Sequence, residues 1–427
     1  MNHFHYRNGE LFAEDVPLST IADQVGTPFY CYSTATLTRH FTVLRDALRG
    51  VDATLCFAVK SNSNIAVIRT LGLMGAGADV VSEGELRRAM AAGIPPERIV
   101  FSGVGKTRAE LSLALDVGIL QINVESEPEL LLLNEMALER GKKAVIALRV
   151  NPDVDAQTHA KITTGRKENK FGIEWDRAPE LLRLAHSLPG IELASAAIHI
   201  GSQLTELAPF RAAFVRLREL VESLKKDGIV LKRLDLGGGL GVPYQQASNE
   251  MPPLPADYGA LVKEVFGGLG CSLLLEPGRL LVGNAGTLVS QVLFVKKGSS
   301  RDFVICDAAM NDLVRPAMYD AHHDIRPVTE PAADSGTAPY DVVGPVCETG
   351  DTFARQRLLP PLAEGDLIAF ATAGAYGATM SSTYNSRPLV PEVLVKGDQF
   401  AIVRARPTYE QMFALESVPE WVELNRE

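Results

Sequence analysis

A chain of 427 residues, 46% hydrophobic and 22% charged, is long enough for two domains and apolar enough to bury a large core. Its 42 basic and 52 acidic side chains leave a formal charge of -10, which argues against a nucleic-acid surface, and no basic run suggests otherwise. The opening MNHFHYRNGELFAEDV lacks an apolar signal core and no apolar stretch approaches the length of a membrane span, so no membrane partner and a cytoplasmic location are expected. The five cysteines are scattered without CxxC spacing, so neither a disulfide framework nor a metal site is expected. Cys31, Cys56, Cys271 and Cys306 read as small core residues, whereas Cys347 stands in the polar VCETGD (346–351).

Residues 1–34 hold three alternating pieces, 3–6, 10–12 and 28–32, separated by turn signals; they predict strands whose partners come from elsewhere. From residue 36, short apolar runs alternate with helical periodicity. Strands are predicted at 54–59, 76–81, 98–102, 120–124, 144–150, 194–200, 232–236 and 272–275, with helices at 82–92, 106–117, 126–140, 178–188 and 210–226. Eight strands with interleaved helices over 36–280 fit a closed (β/α)8 TIM barrel. The runner-up is an open doubly wound sheet, whose glycine fingerprint belongs after the first strand, whereas here the glycines follow the seventh. The polar stretch 151–170, with His159, Thr163, Thr164, Gly165 and Lys170, reads as an active-site loop or a disordered segment. After residue 280, strand-like runs at 286–295, 302–306, 366–371, 389–395 and 400–405 predict an all-β domain over 281–427, completed by the strands of 1–35, with 328–338 an exposed loop.

The chemistry gathers at the predicted strand ends. Lys60 closes the apolar run LCFAVK (55–60), where an ammonium either reaches solvent or has its charge suppressed for a purpose. Asp79 falls near the end of the second strand and His199 at the sixth; LDLGGGLG (234–241) follows the seventh and EPGR (276–279) the eighth. Singly, Asp79 reads as a helix cap, His199 as a core histidine and the glycines as a turn. Barrel strand ends point at one mouth, so together these residues converge on one ligand. Glycines let backbone N–H groups close on an anion, and barrels commonly bind phosphate after strands seven and eight.

A lysine, a phosphate cradle and a carboxylate suit pyridoxal 5'-phosphate held as a Schiff base on Lys60, whose deprotonation low-dielectric surroundings favour. Glu276 then keeps the pyridine nitrogen protonated, which suits decarboxylation; His199 stacks on the ring, Ser202 lies near the phosphate, and Gly238, Gly239, Pro277 and Gly278 form the cradle. Arg279 and Arg315 are two cations suited to carboxylates, while Tyr319 and Glu348 add a hydroxyl and an anion. This set matches a substrate whose distal end is an amino-acid zwitterion. Ornithine or lysine, with a distal ammonium alone, would leave two arginines unpaired.

The ordered motifs FAVKSN, GADVVSEGEL, NPDVDAQTH with TGRKENKFGI, IHIGSQ, LDLGGGLG, EPGR, VRPAMYDAHH, CETGD and GAYG resemble the fold type III pyridoxal phosphate-dependent decarboxylases over residues 28–405. The resemblance implies a barrel plus a β domain, and a homodimer with active sites shared at the subunit interface. It also implies conversion of meso-2,6-diaminopimelate to L-lysine and CO2, the last step of lysine biosynthesis. By the same resemblance Lys60 is the Schiff-base lysine, Glu276 the pyridine partner and Tyr376 a residue near cofactor and substrate. Cys347 is the proton donor that reaches the other subunit's site, and with Lys60 and His199 it completes the expected catalytic set. Phe57 and Ser61 stand where the family often has Tyr and Ala, and His322 where it has Tyr or Asp, which leaves fine specificity open.

Overall fold

The structure is a computed structural model that describes residues 2–155, 170–245 and 251–422. Eight parallel strands, Ala53–Ala58, Gly77–Val80, Ile99–Phe101, Gln121–Val124, Ala144–Asn151, Ile191–Ala197, Arg233–Asp235 and Ser272–Leu275, pair in chain order. The eighth returns to the first with Leu273 opposite Ala53, so the sheet closes and the open alternative is excluded. Most of the strands read as near-continuous apolar runs because each buries both faces, one in the barrel and one under a helix.

The turns leaving the first four strands each end in a polar residue that starts the next helix. Asn64, Ser82 and Ser126 accept backbone N–H groups of the first turns, and Thr107 forms a reciprocal capping box with Glu110. Such a cap is worth about 1 kcal/mol, and it ties each helix start to the barrel mouth.

The second sheet is mixed, and its centre comes from both ends of the chain. Phe29–Ser33 runs antiparallel to Gly286–Lys296, with Tyr32 opposite Gly286, and parallel to Glu392–Lys396, with Tyr30 opposite Glu392. The chain leaves this sheet at Ser33, whose hydroxyl caps the helix Thr34–Ala47, builds the barrel, and re-enters at Gly286.

Several expectations are corrected. Phe4–Arg7 and Glu10–Ala13 pair with each other and, through Val16–Pro17, form a sheet of their own; only Phe29–Ser33 joins the large one. The small sheet still packs on the large, since Phe4, Leu11 and Val16 share a cluster with Phe29, Val289 and Val393. The β region also holds the helices Leu18–Val25, Arg315–Tyr319 and Tyr409–Phe413. Strands Ala338–Val343 and Thr352–Leu359 were missed, because exposed positions and a proline at 339 blur their alternation. The sixth barrel strand lies three residues earlier than expected, so His199 stands on the loop beyond it. Cys271 precedes its strand and is only half-buried. Residues 156–169, most of the expected loop, lie outside the described residues.

Candidate active site

The barrel mouth gathers one lysine and three carboxylates. Lys60 lies two residues past the first strand, and its Nζ donates to Asp79 Oδ2 at 3.0 Å. Asp79 is wholly buried, whereas 35% of the Lys60 side chain remains accessible from the cavity. Burial pulls the Lys60 amine toward neutrality, but its neighbouring acids, the Asp79 carboxylate first among them, outweigh it and carry its pKa above the usual lysine value. The expectation that apolar surroundings suppress this charge is therefore corrected: the amine is an ion-paired ammonium. The helix that Asp79 was read to cap is capped by Ser82.

Glu276, just past the eighth strand, accepts hydrogen bonds from Ser102 Oγ at 3.3 Å and Asn123 Nδ2 at 3.2 Å. Asn123 also donates to Asp235 Oδ2 at 3.0 Å, so one amide joins two buried carboxyl groups. Burial, then the charges of Asp235 and Asp79, push the Glu276 pKa well above the usual carboxylate range. His199 is held low by burial and by Arg149, and its Nδ1 accepts the Gly238 N–H at 3.2 Å, so the imidazole is neutral.

Beside Lys60 a narrow cleft is walled by Gly237–Leu240 and Glu276–Leu280, with His199, Ser202 and Tyr376 on its rim. A Cβ on Gly238 would meet the Glu276 carbonyl at 2.3 Å and one on Gly239 the Gly201 carbonyl at 2.5 Å, so these positions admit only glycine. Pyridoxal phosphate fits this donor set: an amine for its aldehyde, a carboxyl held protonated by its neighbours, and a side-chain-free cleft of backbone for its phosphate. Asp79 Oδ1 is buried without a hydrogen-bond partner, a position that favours a further cationic or donor group nearby.

The cleft opens into a cavity of about 620 Å³, the size of a small-molecule site. Its lining adds Arg315 and Tyr319 to Arg279, which borders the cleft as well. Arg279 donates to the hydroxyls of Tyr244 and, at 3.1 Å, Ser202, and lies 4.7 Å from the Tyr376 ring centroid. Arg315 lies 4.3 Å from that of Tyr244. Among the described residues no carboxylate pairs with either arginine. Tyr376 takes a left-handed φ of 56°, a conformation that costs a side-chain-bearing residue roughly 1–2 kcal/mol, and its N–H is tied to Ser61 O at 2.8 Å. Asn62 Nδ2 bonds the Gly374 carbonyl at 3.0 Å, which stitches the lysine loop to the segment bearing Tyr376.

Residues 34–283 match the family described as "Pyridoxal-dependent decarboxylase, pyridoxal binding domain". The diaminopimelate decarboxylases of Zymomonas mobilis and Vibrio cholerae are 50% and 51% identical over 98% of this chain and 99% of their own lengths. The chain belongs to the diaminopimelate decarboxylase family. A crystal structure of the family from Helicobacter pylori, complexed with L-lysine, matches with a TM-score of 0.89 at 42% identity, covering 93% of this chain and 98% of that one. One from M. jannaschii in co-complex with L-lysine gives 0.93 at 33% identity, covering 99% and 100%.

Of the residues expected from the sequence, Lys60, His199, Ser202, Gly238, Gly239, Glu276, Pro277, Gly278, Arg279 and Tyr376 border the cleft, and Arg315 and Tyr319 the wider cavity. Cys347 and Glu348 do not: both are exposed and line neither space, with the Cys347 N–H held by Asn385 Oδ1 at 3.1 Å. Sequence reasoning missed Asn123, Asp235, Arg149 and Tyr244. The first three carried a signal, as polar residues inside barrel strands QINV, RLD and ALRVN. Tyr244, in a loop with no motif, carried none that periodicity could detect. In this member of the diaminopimelate decarboxylase family His322 also lines the cavity, at the position where the sequence departs from the family pattern.

Proposed function

We propose that the protein performs the pyridoxal phosphate-dependent decarboxylation of meso-2,6-diaminopimelate to L-lysine and CO2, the closing step of lysine biosynthesis, in the cytoplasm. The observation that carries this reading is a lysine–acid cluster with a glycine cleft and, in the same cavity, two buried arginines that no carboxylate among the described residues pairs. Diaminopimelate supplies what both walls lack: an amino-acid end for the lysine side and a second carboxylate for the arginines.

Lys60 would hold the cofactor through its amine, which Asp79 Oδ2 orients by the hydrogen bond it accepts. Glu276 keeps a proton at the pyridine nitrogen, with Asn123 and Ser102 orienting its carboxyl. The glycine cleft, Ser202 and the EPGR backbone would hold the phosphate, and neutral His199, on the rim of the same cleft, would face the ring without competing for its charge. Pyridoxal phosphate, when bound, supplies a sink for the electron pair left on carbon as CO2 departs. Arg279, Arg315 and Tyr319 hold the distal carboxylate, which fixes the scissile end over Lys60.

We further propose a homodimer in which Cys347 and Glu348 enter the second copy's cavity. Cys347 delivers the proton to the carbon that lost CO2, and Glu348 receives the distal ammonium. Their exposure, away from the cavity of their own chain, supports this reading. Residues 36–280 then form the cofactor domain, with 1–35 and 281–427 as the β domain.

Measured CO2 release from diaminopimelate, ornithine, arginine and carboxynorspermidine tests the substrate, and turnover of diaminopimelate alone is expected. Mixing Lys60→Ala and Cys347→Ala proteins, each nearly inactive, is expected to restore turnover through mixed dimers. No recovery after subunit exchange would leave Cys347 without its role across the interface.

A further inference from the structure

Several buried or half-buried cations of this chain are met by carboxylates. Arg149 pairs with Glu125 at 2.9 Å, Lys106 with Glu129 at 2.8 Å and Arg404 with Glu392 at 3.1 Å. Arg315, 6% exposed, is met by a ring instead: its Nη1 donates to His323 Nε2 at 2.8 Å. His323 is 1% exposed, and its Nδ1 lies 2.8 Å from the Ala371 carbonyl. A carbonyl only accepts, so Nδ1 carries the proton; Nε2 then offers its lone pair to the guanidinium. Burial and the Arg315 charge push the His323 pKa down to about 3, which holds the ring neutral near pH 7.

The surroundings hold that ring in place. Arg357 Nη1 donates to the His323 carbonyl at 2.9 Å, and His322 is fixed between Asp324 at 2.8 Å and Arg357 Nη2 at 3.1 Å. Tyr244 meets the His323 ring edge-on at 5.3 Å between centroids while its face covers Arg315. The guanidinium is thereby oriented from two sides by groups that carry no charge.

We infer that His323 is a positioning residue for substrate selection: a neutral acceptor that aims Arg315 into the cavity while leaving its positive charge for the carboxylate of the ligand. A carboxylate at this position would orient Arg315 equally well but neutralise it, and the substrate would then compete with an internal anion. An apolar residue would leave the charge but release the guanidinium from its orientation. The inference rests on the proposed diaminopimelate chemistry and adds to it the reason why an imidazole stands beside Arg315.

The test compares His323→Gln, His323→Leu and His323→Glu holoenzymes. It reads kcat and KM for diaminopimelate, inhibition by L-lysine, which keeps the distal carboxylate, inhibition by cadaverine, which has none, and melting temperature. His323→Gln, still a neutral acceptor, is expected to stay within about threefold in KM, whereas His323→Glu raises KM and the L-lysine inhibition constant about tenfold or more. His323→Leu is expected between them, with kcat in all three changing much less than KM and cadaverine inhibition unmoved.

The inference is overturned if Gln is as damaging as Glu, if kcat and melting temperature fall while KM stays, or if cadaverine binding shifts as much as that of L-lysine. Failure of the wild-type protein to turn over diaminopimelate would instead sink the proposed substrate. Calorimetric binding of L-lysine and cadaverine to wild type and His323→Glu would still read the effect on Arg315, and an unchanged ratio between the two ligands would refute it.

Discussion

Two walls of one cavity differ in how their charges are met. On the barrel side Asp79, Asp235 and Glu276 crowd around one lysine, so carboxyl groups exceed cations, and the Asn123 amide donates to both Asp235 and Glu276. On the opposite side Arg279 and Arg315 are met by hydroxyls, aromatic rings and an imidazole. Surplus negative charge holds protons where a bound ring nitrogen needs them, and surplus positive charge waits for an anion that arrives with the substrate. One wall is built for activation and the other for selection.

The difference can be broken at either wall. Lys60→Ala should have the largest effect, a loss of at least about 10³-fold in kcat/KM together with disappearance of the visible band of lysine-bound cofactor. A variant that keeps both band and turnover removes Lys60 from the barrel wall's function. Glu276→Gln should follow, with kcat down about 10²-fold and KM little changed, because an amide does not hold the nitrogen's proton as a carboxyl does. Equal losses in KM would move Glu276 to the selecting wall.

Arg315→Ala should raise KM for diaminopimelate about 30-fold while lowering kcat less, since the group is asked to bind and not to react. It should weaken L-lysine inhibition and spare cadaverine. Equal weakening of both would show that the selecting wall does not read a carboxylate.

The smallest effect concerns Glu85, behind the Lys60–Asp79 pair, whose carboxyl burial and the Asp79 charge raise from 4.5 to about 7. Between those values the folded chain binds more protons than the unfolded one. The contribution of Glu85 to stability is thus greatest below about pH 4.5 and declines as pH rises to about 7. Glu85→Gln should flatten that part of the melting-temperature profile, and an unchanged slope would place the titration elsewhere.

Much of this was legible in the chain. The barrel could be read because apolar runs such as LCFA and SLLL report burial locally, and because the glycines follow the seventh strand. The lysine, EPGR and glycine motifs could be read because each sits at a strand end. The protonation of Lys60 was read in the wrong sense: its apolar run suggested a suppressed charge, but Asp79, 19 residues away, supplies a partner at 3.0 Å. Tyr244 and His323 were not legible as parts of the arginine wall, since their roles exist only where a loop, the short helix Arg315–Tyr319 and the Ala371 carbonyl meet.

The amino-acid order by itself determined the alternation of strand and helix, the mouth toward which Lys60, Glu276 and the glycines point, and the kind of cofactor such a trio accepts. Those properties follow from spacing of a few residues along one element. Folding alone decided which charges meet and which are left waiting. Asn123 reaches Glu276 across 153 positions and Asn62 reaches Gly374 across 312, and electrostatic pairing depends on distances of about 3 Å in space, for which separation along the chain carries no measure.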